Sequence, residues 1–303
     1  MKIGIIGAGQ IGGTLTRRLT ALGHKVFVSN SRGPETLSDL AAETGATAVS
    51  VPEAVRGVAL IVVTIPQKNI PDLPAGLFAD TSDRVIVVDT GNYYPRQRDG
   101  RIEAIEAGLP ESRWVEQKLG RPVIKAFNNI YARHLLELGR PAGALGRIAL
   151  PVAGDDDAAK TVVLKLVEEL GFDGVDAGGL DESWRQQPGT PVYTKDFDAD
   201  GVRRGLHEAS KDRTPECVAP RTAPVASLLL LEGTVRLQPS AGLWIKTSKA
   251  VQARSSRVDT RASHRSRKPE ALSVMVSGLQ YRPLPSLNLP LTQGLRCAGV
   301  RGS

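Results

Sequence analysis

A glycine-rich turn between a predicted strand and a predicted helix is the feature that most constrains the fold of this chain. Residues 2–6 form an apolar run that leads directly into Gly7, Gly9 and Gly12 at the spacing GxGxxG. Gly7 permits a tight turn, Gly9 lets backbone approach a phosphate closely, and Gly12 lets the helix pack on the sheet. The first amide groups of the helix then face the anion. The turn therefore predicts a dinucleotide pyrophosphate site formed by Gly7, Ala8, Gly9, Gln10, Ile11 and Gly12.

The end of the second predicted strand distinguishes between the two nicotinamide cofactors. NAD-binding enzymes place Asp or Glu there, about twenty residues after the glycine turn, to bind the ribose 2′-hydroxyl. This chain instead has Ser29, Asn30, Ser31 and Arg32. Because no carboxylate would repel a 2′-phosphate, and hydroxyls and a guanidinium would bind it, the segment favours NADP. A simple polar turn is the alternative interpretation, since Gly and Pro follow Arg32.

Later apolar runs predict a sheet that is covered by helices on both faces. They are mostly continuous rather than alternating, as expected for strands buried on both sides, and they lie at 59–65, 85–89, 123–127 and 147–153. The helix after the glycine turn carries one apolar stripe, formed by Ile11, Leu15, Leu19 and Leu22. These elements predict an α/β fold with a doubly wound, mostly parallel sheet of the Rossmann NAD(P)-binding type.

Three consecutive aspartates, Asp155, Asp156 and Asp157, precede an amphipathic segment at 158–170. A metal site is one interpretation of this cluster. Helix capping is favoured, because carboxylates at the start of a helix accept its free amide groups and complement its dipole. Both cysteines, Cys217 and Cys297, lie in the C-terminal part of the chain after residue 215. Residues 1–215 therefore offer no Cys-based metal or disulfide site. No metal is therefore predicted.

The composition of the chain changes near residue 215. The whole chain has 39 Lys and Arg against 32 Asp and Glu, a net charge of +7. Residues 216–303 hold 13 of the basic and 4 of the acidic residues, a net charge of +9, so 1–215 has a net charge of −2. The basic character therefore belongs to the C-terminal tail, and no nucleic acid partner is expected for the body.

The basic tail at 216–303 has two interpretations. Its Arg- and Ser-rich stretches, such as 254–268, support little packing and are typical of a disordered arm that binds nucleic acid or a membrane surface. An out-of-frame or read-through extension is favoured instead, because apolar runs such as 225–231 form neither a clean amphipathic helix nor a repeat.

Neither a membrane segment nor a signal peptide is expected. No run approaches about eighteen uninterrupted apolar residues, and the first predicted strand begins at residue 2. We therefore expect no membrane partner and a cytoplasmic location.

Several motifs, taken in order, resemble the NADP oxidoreductase family that includes the deazaflavin-dependent (coenzyme F420-dependent) NADP reductases. Besides the glycine turn and the 29–32 segment, they are Thr64, Ile65 and Pro66 after the fourth strand, VIKAFN at 123–128 and VAGDDDAAK at 152–160. The nucleotide-binding domain of the transmembrane ferric reductases is also similar. The resemblance implies a Rossmann NADP-binding domain at 1–182, followed by a segment at 183–215 that closes the acceptor site. It also implies a homodimer.

The resemblance further implies hydride transfer between NADP(H) and a small conjugated acceptor of the deazaflavin, flavin or quinone type. In such reductases the protein supplies binding and orientation more than acid and base chemistry, and no catalytic residue is identified here. Thr64, Ile65 and Pro66 would line the nicotinamide ribose. The acceptor would contact residues at the carboxyl edge of the sheet or in the closing segment, namely Asn92, Asn128, Asn129, Trp184 and Tyr193. Segment 183–193 replaces the family's apolar closing helix, which leaves the acceptor open.

Two other functions stay open. The lack of an evident acid or base permits a module that binds or senses NADPH without turnover. A 3-hydroxyacid-type dehydrogenase is suggested by the spacing of Lys125 and Asn129, but the family motif needs that spacing on a helix, and Lys125 lies on the predicted strand at 123–127. Lys125 either offers its charge to the acceptor or, as is favoured, extends from the strand end to solvent. His134 is either a proton donor or a solvent-facing loop residue.

Overall fold

Strands and helices alternate along residues 1–220, the part of the chain that the computed structural model describes. The strands are β1 (Lys2–Ile6), β2 (Lys25–Ser29), β3 (Thr47–Ala48), β4 (Leu60–Val63), β5 (Ile86–Asp89), β6 (Ile124–Lys125), β7 (Ala149–Val152) and β8 (Asp173–Asp176). The first six form one parallel sheet in the order β3-β2-β1-β4-β5-β6. This is the predicted doubly wound sheet, and the order reverses between β1 and β4.

Helices connect these strands and cover the sheet. They are α1 (Gln10–Ala21), α2 (Ser38–Thr44), α3 (Val51–Ala54), α4 (Glu103–Glu106), α5 (Glu111–Leu119), α6 (Ala132–Glu137), α7 (Asp157–Glu169) and α8 (Ala199–His207). Shorter helical turns lie at Pro34–Leu37, Gln67–Asp72, Pro95–Asp99, Leu180–Gln186 and Pro215–Cys217. No helix within residues 1–220 has the length and hydrophobicity needed to cross a membrane.

Strand β4 explains why the apolar runs of this chain are continuous. Alternate side chains of a strand point to opposite faces. Leu60 and Val62 pack into one core with α1, α6 and α7, whereas Ile61 and Val63 pack into a second core with Trp114 of α5. All four β4 side chains are buried. Both faces are therefore apolar, which confirms the prediction of a sheet covered on both sides.

The pair β7 and β8 differs from the simplest expectation from the sequence. These strands are parallel to each other but form their own two-stranded sheet, packed between α7 and α8. An antiparallel bridge between Lys125 and Ala153 joins them to the end of β6. The chain runs past the edge of β6 in the opposite direction there, so a continuous parallel ladder cannot form. The fold class is confirmed, and the sheet is divided in two.

The aspartate cluster before α7 caps the helix, as predicted. The Asp156 carboxylate accepts hydrogen bonds from the amide groups of Ala158 and Ala159 at 2.9 and 3.0 Å. Asp155 faces elsewhere and pairs with Arg113 at 2.9 Å. Among residues 1–220, no group of His, Cys, Asp and Glu is arranged to hold a metal ion.

The chain remains packed on the body as far as residue 219. The Arg96 guanidinium donates hydrogen bonds to the Pro215 and Val218 carbonyls, and Ala219 is buried. The predicted domain boundaries stay predictions. Most of the basic tail, residues 221–303, lies outside the described part of the chain, so its two interpretations stay open.

Candidate functional site

The glycine turn after β1 packs tightly against the end of β4. Gly7 has a φ of +107° and donates its amide to the Ser29 carbonyl at 2.9 Å. A β-carbon at Gly7 would lie 2.3 Å from the Thr64 carbonyl oxygen, and one at Gly12 would lie 1.9 Å from the Gly7 carbonyl oxygen. Both positions therefore require glycine for steric reasons within the protein.

Gly9 has a different environment, because it faces open space. No heavy atom lies within 4 Å of the position that a β-carbon would take there, and the backbone angles of Gly9 are ordinary for any residue (φ −74°, ψ −158°). It is the N-cap of α1, and no side chain caps that helix. The first amide groups of α1 are thus available to an anion that would fill the space beside Gly9. These residues fit a dinucleotide pyrophosphate.

The segment after β2 forms a structured turn whose tip is exposed. The Asn30 side chain accepts a hydrogen bond from the Arg32 amide at 2.9 Å and donates one to the Thr36 hydroxyl at 2.8 Å. Ser31 and Arg32 are both exposed. Arg32 has no carboxylate within ion-pair distance among the described residues. Its guanidinium is therefore free to bind a phosphate.

Ser29 requires a correction. The sequence suggested that its hydroxyl would help to bind the 2′-phosphate, but the side chain is fully buried and donates to the Ile5 carbonyl at 3.0 Å. Ser29 is the last residue of β2, which pairs with β1, and its hydroxyl points towards that neighbouring strand. Ser29 holds the two strand ends together, and its hydroxyl is not available to a ligand.

A cleft of about 490 Å³ connects the glycine turn with the segment after β2. Ala8, Gly9 and Gln10 line one side of it, and Arg32 lines the other. Arg17 also lines the cleft, although the sequence analysis did not identify it. It lies four residues after Gly13 on the α1 face that points away from the buried stripe, and this spacing is the signal that could have identified it.

Arg17 is held by a carboxylate at the edge of the cleft. Its guanidinium makes two hydrogen bonds of 2.6 Å with Glu43 of α2. The hydrogen bond with Glu43 raises the pKa of Arg17, and the same bond lowers the pKa of Glu43. Arg17 therefore adds positive charge to the cleft, partly neutralised by Glu43.

Thr64, Ile65 and Pro66 lie beside the glycine turn, where the strand order reverses. The Thr64 amide donates to the Ile6 carbonyl at 2.9 Å, and all three residues are partly exposed. Ligands of open α/β sheets bind in the crevice at this point, outside the carboxyl ends of the strands. The structure thus brings the predicted pyrophosphate and ribose segments together at one edge.

Asn92 and Asn128 are used to fix the neighbouring loops. The Asn92 side chain donates to the Asn128 carbonyl at 2.8 Å, and the Asn128 side chain donates to Asn92 Oδ1 at 3.0 Å. Gln186 joins them, since its Nε2 donates to Asn128 Oδ1 at 2.9 Å. This network ties the ends of β5 and β6 to the segment that follows β8.

Asn129 lies next to two residues with unusual backbone angles. Its carbonyl accepts the Thr194 amide at 2.9 Å, and its side chain is buried without a hydrogen-bond partner among the described residues. Phe127 and Thr194 have φ angles of +61° and +54°, which non-glycine residues rarely adopt. Strain of this kind is characteristic of functional sites.

Tyr193 meets Tyr94 at the same edge of the sheet. The two hydroxyl groups are hydrogen bonded to each other, and both side chains are partly buried. Burial raises the pKa of Tyr94 and the pKa of Tyr193, so both hydroxyls keep their protons at neutral pH. The two tyrosines are 99 positions apart in the chain, so no local sequence pattern predicts their contact.

Trp184 is separated from the other predicted acceptor residues. It lines a second cleft, together with Gln187 and Lys211, and none of Asn92, Asn128, Asn129 and Tyr193 contributes to that lining. The structure therefore brings four of the five predicted acceptor residues together and places the fifth in a neighbouring cleft.

Lys125 also requires a correction, because it does not reach solvent. It is fully buried, and its Nζ donates to Asp89 Oδ2 at 3.1 Å and to the Gly91 carbonyl at 2.5 Å. Ser112 donates to the same Asp89 oxygen at 2.7 Å. The bridge at Ala153 and helix α5 enclose the end of β6, so the lysine pairs internally.

Two further titratable groups lie near this edge. Burial raises the pKa of Glu111 to about 7, and its Oε2 accepts the Tyr93 amide at 3.0 Å. His134, for which the sequence left two roles open, lies on α6 and pairs with Asp196 at 2.8 Å. It is therefore engaged by a carboxylate on the protein surface.

Comparisons with known proteins identify a family and several similar proteins. Residues 2–93 match the model of a family described as NADP oxidoreductase, coenzyme F420-dependent. Protein YjhV of Escherichia coli strain K12 is 48% identical over 91 residues, which are 30% of this chain and 59% of that protein. The chain thus matches less than two thirds of the length of this relative.

Two solved structures are similar over the body of the chain. The hypothetical protein SMa0349 from Sinorhizobium meliloti is 30% identical, with a TM-score of 0.56, and the match covers 65% of this chain and 95% of that one. A candidate F420-dependent NADP reductase from Arthrobacter sp. FB24 is 24% identical, with a TM-score of 0.51, over 61% of this chain and 87% of that one. The second likeness shows a shared fold.

Proposed function

Because the chain belongs to the family of coenzyme F420-dependent NADP oxidoreductases, we propose that it is a reductase that transfers a hydride between NADP(H) and a small conjugated acceptor. One observation carries the cofactor assignment. The open space beside Gly9, the uncapped start of α1 and the unpaired Arg32 all border the same cleft. A dinucleotide with a 2′-phosphate would satisfy all three.

In this proposal each segment of the site has a separate task. The amide groups at the start of α1 bind the pyrophosphate, and Ser31 and Arg32 bind the 2′-phosphate. Thr64, Ile65 and Pro66 border the nicotinamide ribose. NADPH supplies the hydride when bound, so the protein's contribution is to hold and orient the reacting partners.

The acceptor lies, in this proposal, at the carboxyl edge of β5 and β6. The network of Asn92, Asn128 and Gln186 fixes the loops there, and the Tyr94 and Tyr193 hydroxyls offer protonated donors at the same edge. A conjugated acceptor such as a flavin, a deazaflavin or a quinone takes a hydride at one atom and a proton at a conjugated oxygen or nitrogen. A tyrosine hydroxyl can donate a hydrogen bond to that atom.

Steady-state oxidation of NADPH with a panel of flavins, deazaflavins and quinones tests the proposal. We expect turnover with at least one acceptor class and a lower kcat in the Tyr193→Phe variant, with NADPH affinity unchanged. Tight binding of NADPH without turnover on any acceptor would instead support a binding or sensing module. Absence of NADPH binding would reject both.

A further inference from the structure

A second cleft lies between the helical turn Leu180–Gln186 and the chain at 210–217. Its volume is about 280 Å³, and its lining includes Trp184, Gln187, Thr190 and Lys211. Neither the glycine turn nor Arg32 contributes to it, so it is distinct from the cofactor cleft. Nothing in the proposed hydride transfer assigns a role to this cleft.

Two N–H donors of the residues that line this cleft have no acceptor within the described part of the chain. They are Trp184 Nε1 and Gln187 Nε2, and both atoms are buried. Buried polar groups of native proteins almost always have a hydrogen-bond partner, because an unpaired donor loses its water without replacement. Both donors belong to residues of the cleft wall, and an acceptor from outside the chain would supply the partner that they lack.

The charge in the cleft indicates what kind of acceptor fits. The Lys211 ammonium lies 5.3 Å from the centre of the Trp184 ring and, among residues 1–220, has no carboxylate within ion-pair distance. Arg213 also lines the cleft, with Glu106 at 3.5 Å from its guanidinium. The cleft therefore offers one free ammonium group and a second cation that is only partly neutralised.

The carboxylates of the cleft do not cancel this positive charge. Asp181 pairs with Arg113 at 2.9 Å, and Glu111 accepts the Tyr93 amide deep below the surface. Asp212 is exposed to solvent beside Lys211, where water screens it. N–H donors together with an unpaired ammonium are the groups that bind an oxyanion.

We propose that this cleft binds the acidic group, a carboxylate or a phosphate, of a small molecule. Trp184 Nε1 and Gln187 Nε2 donate to its oxygens, and Lys211 supplies the opposite charge. A neutral amide would accept the same two hydrogen bonds but would gain nothing from Lys211. The volume suits a small molecule or one end of a larger one, and it is smaller than typical sites for drug-sized ligands. The proposal does not depend on the hydride-transfer reaction.

The indole N–H signal of Trp184 in a ¹H–¹⁵N NMR spectrum of the full chain gives a direct test. The chain has three tryptophans, and the Trp184→Phe variant identifies the signal. Inorganic phosphate and acetate are titrated at constant ionic strength, with acetamide as the neutral counterpart of acetate. We expect a downfield, saturable shift with at least one anion and none with acetamide. The anion that produces it distinguishes a phosphate site from a carboxylate site.

Variants separate binding in this cleft from general charge effects. Gln187→Leu should weaken anion affinity about tenfold, and Lys211→Gln about fivefold. Lys165→Gln, an equal change of charge at an exposed position on α7, should have no effect. The proposal is overturned if neither anion shifts the Trp184 signal or if acetamide shifts it equally. It is also overturned if Lys211→Gln leaves the anion affinity unchanged, as Lys165→Gln should. Because the signal belongs to Trp184 itself, a failure of NADP binding would not affect this result.

Discussion

Replacing Gly9 by alanine separates the two roles that glycine has in the turn after β1. Gly7 and Gly12 are required by contacts within the protein, since a β-carbon at Gly12 would lie 1.9 Å from a backbone oxygen. Gly9 has no protein atom within 4 Å of its β-carbon position and has a backbone conformation that alanine adopts readily. Only a bound ligand would then make Gly9 necessary.

The expected effects on stability and on binding therefore diverge. The added methyl group lowers the entropy of the unfolded chain, which stabilises by about 0.4 to 1 kcal/mol, and this gain is offset because alanine is a poorer N-cap than glycine. The free energy of unfolding should stay within about 1 kcal/mol of the original value. The same methyl occupies the space of a phosphate, and loss of one or two charged hydrogen bonds costs about 3 kcal/mol. NADP⁺ affinity should fall about a hundredfold.

Calorimetric titration with NADP⁺ and urea unfolding of the same samples measure the two quantities. Gly12→Ala is the matched variant. We expect it to lower the free energy of unfolding or the yield of folded protein, because its methyl group would collide with the Gly7 carbonyl oxygen. If Gly9→Ala binds NADP⁺ as tightly as the unmodified chain, the pyrophosphate does not lie beside Gly9, and the cofactor assignment is wrong.

Three other substitutions test the charged groups of the site. Arg32→Ala should weaken NADPH binding by about 1.5 to 3 kcal/mol, and NADH binding far less, because only NADPH carries the 2′-phosphate; equal losses in a titration of both cofactors would refute the assignment. Lys125→Met should lower the free energy of unfolding by about 3 to 5 kcal/mol, because Asp89 would keep a buried charge without its partner. A loss of less than about 1 kcal/mol in urea unfolding would contradict this. Glu111 should make stability fall between pH 4.5 and about 7, and Glu111→Gln should remove the fall.

The sign of the Glu111 effect follows from proton binding in the two states. Burial raises the pKa of the folded-state carboxyl to about 7, from an ordinary value of 4.5, so the folded protein holds the proton over a range in which the unfolded chain has lost it. The contribution of Glu111 to stability is therefore greatest below pH 4.5 and decreases until about pH 7, by roughly 3 kcal/mol. Urea unfolding at several pH values would show a flat profile over this range if Glu111 were not protonated in the folded state.

The fold could be predicted from local sequence, and so could the position of the glycine turn. The glycine spacing in 7–12 has few structural solutions, and continuous apolar runs such as 59–65 require a strand covered on both faces. A polar turn after β2 was one of two interpretations, because Gly33 and Pro34 follow Arg32. These features depend on neighbours in the chain, which sequence patterns record directly.

Other parts of the site depend on contacts between distant segments. Ser29 was expected to bind phosphate, yet its burial beside Ile5 follows from strand pairing. Lys125 was expected to reach solvent, but the bridge to Ala153 and the carboxylate of Asp89 enclose it. No local pattern identifies such partners, because they come together only when the sheet forms.

The sequence by itself determined that this chain forms a doubly wound sheet with a glycine turn for a dinucleotide, since sterics and hydrophobic periodicity act over a few residues. The tertiary structure decided which polar groups remain free to bind. It buried Ser29 and Lys125 and joined Tyr94 to Tyr193. Among the described residues it left Arg32 and Lys211 without a carboxylate partner and Trp184 Nε1 without an acceptor. The availability of a polar group depends on what packs around it, and packing is a property of the whole fold.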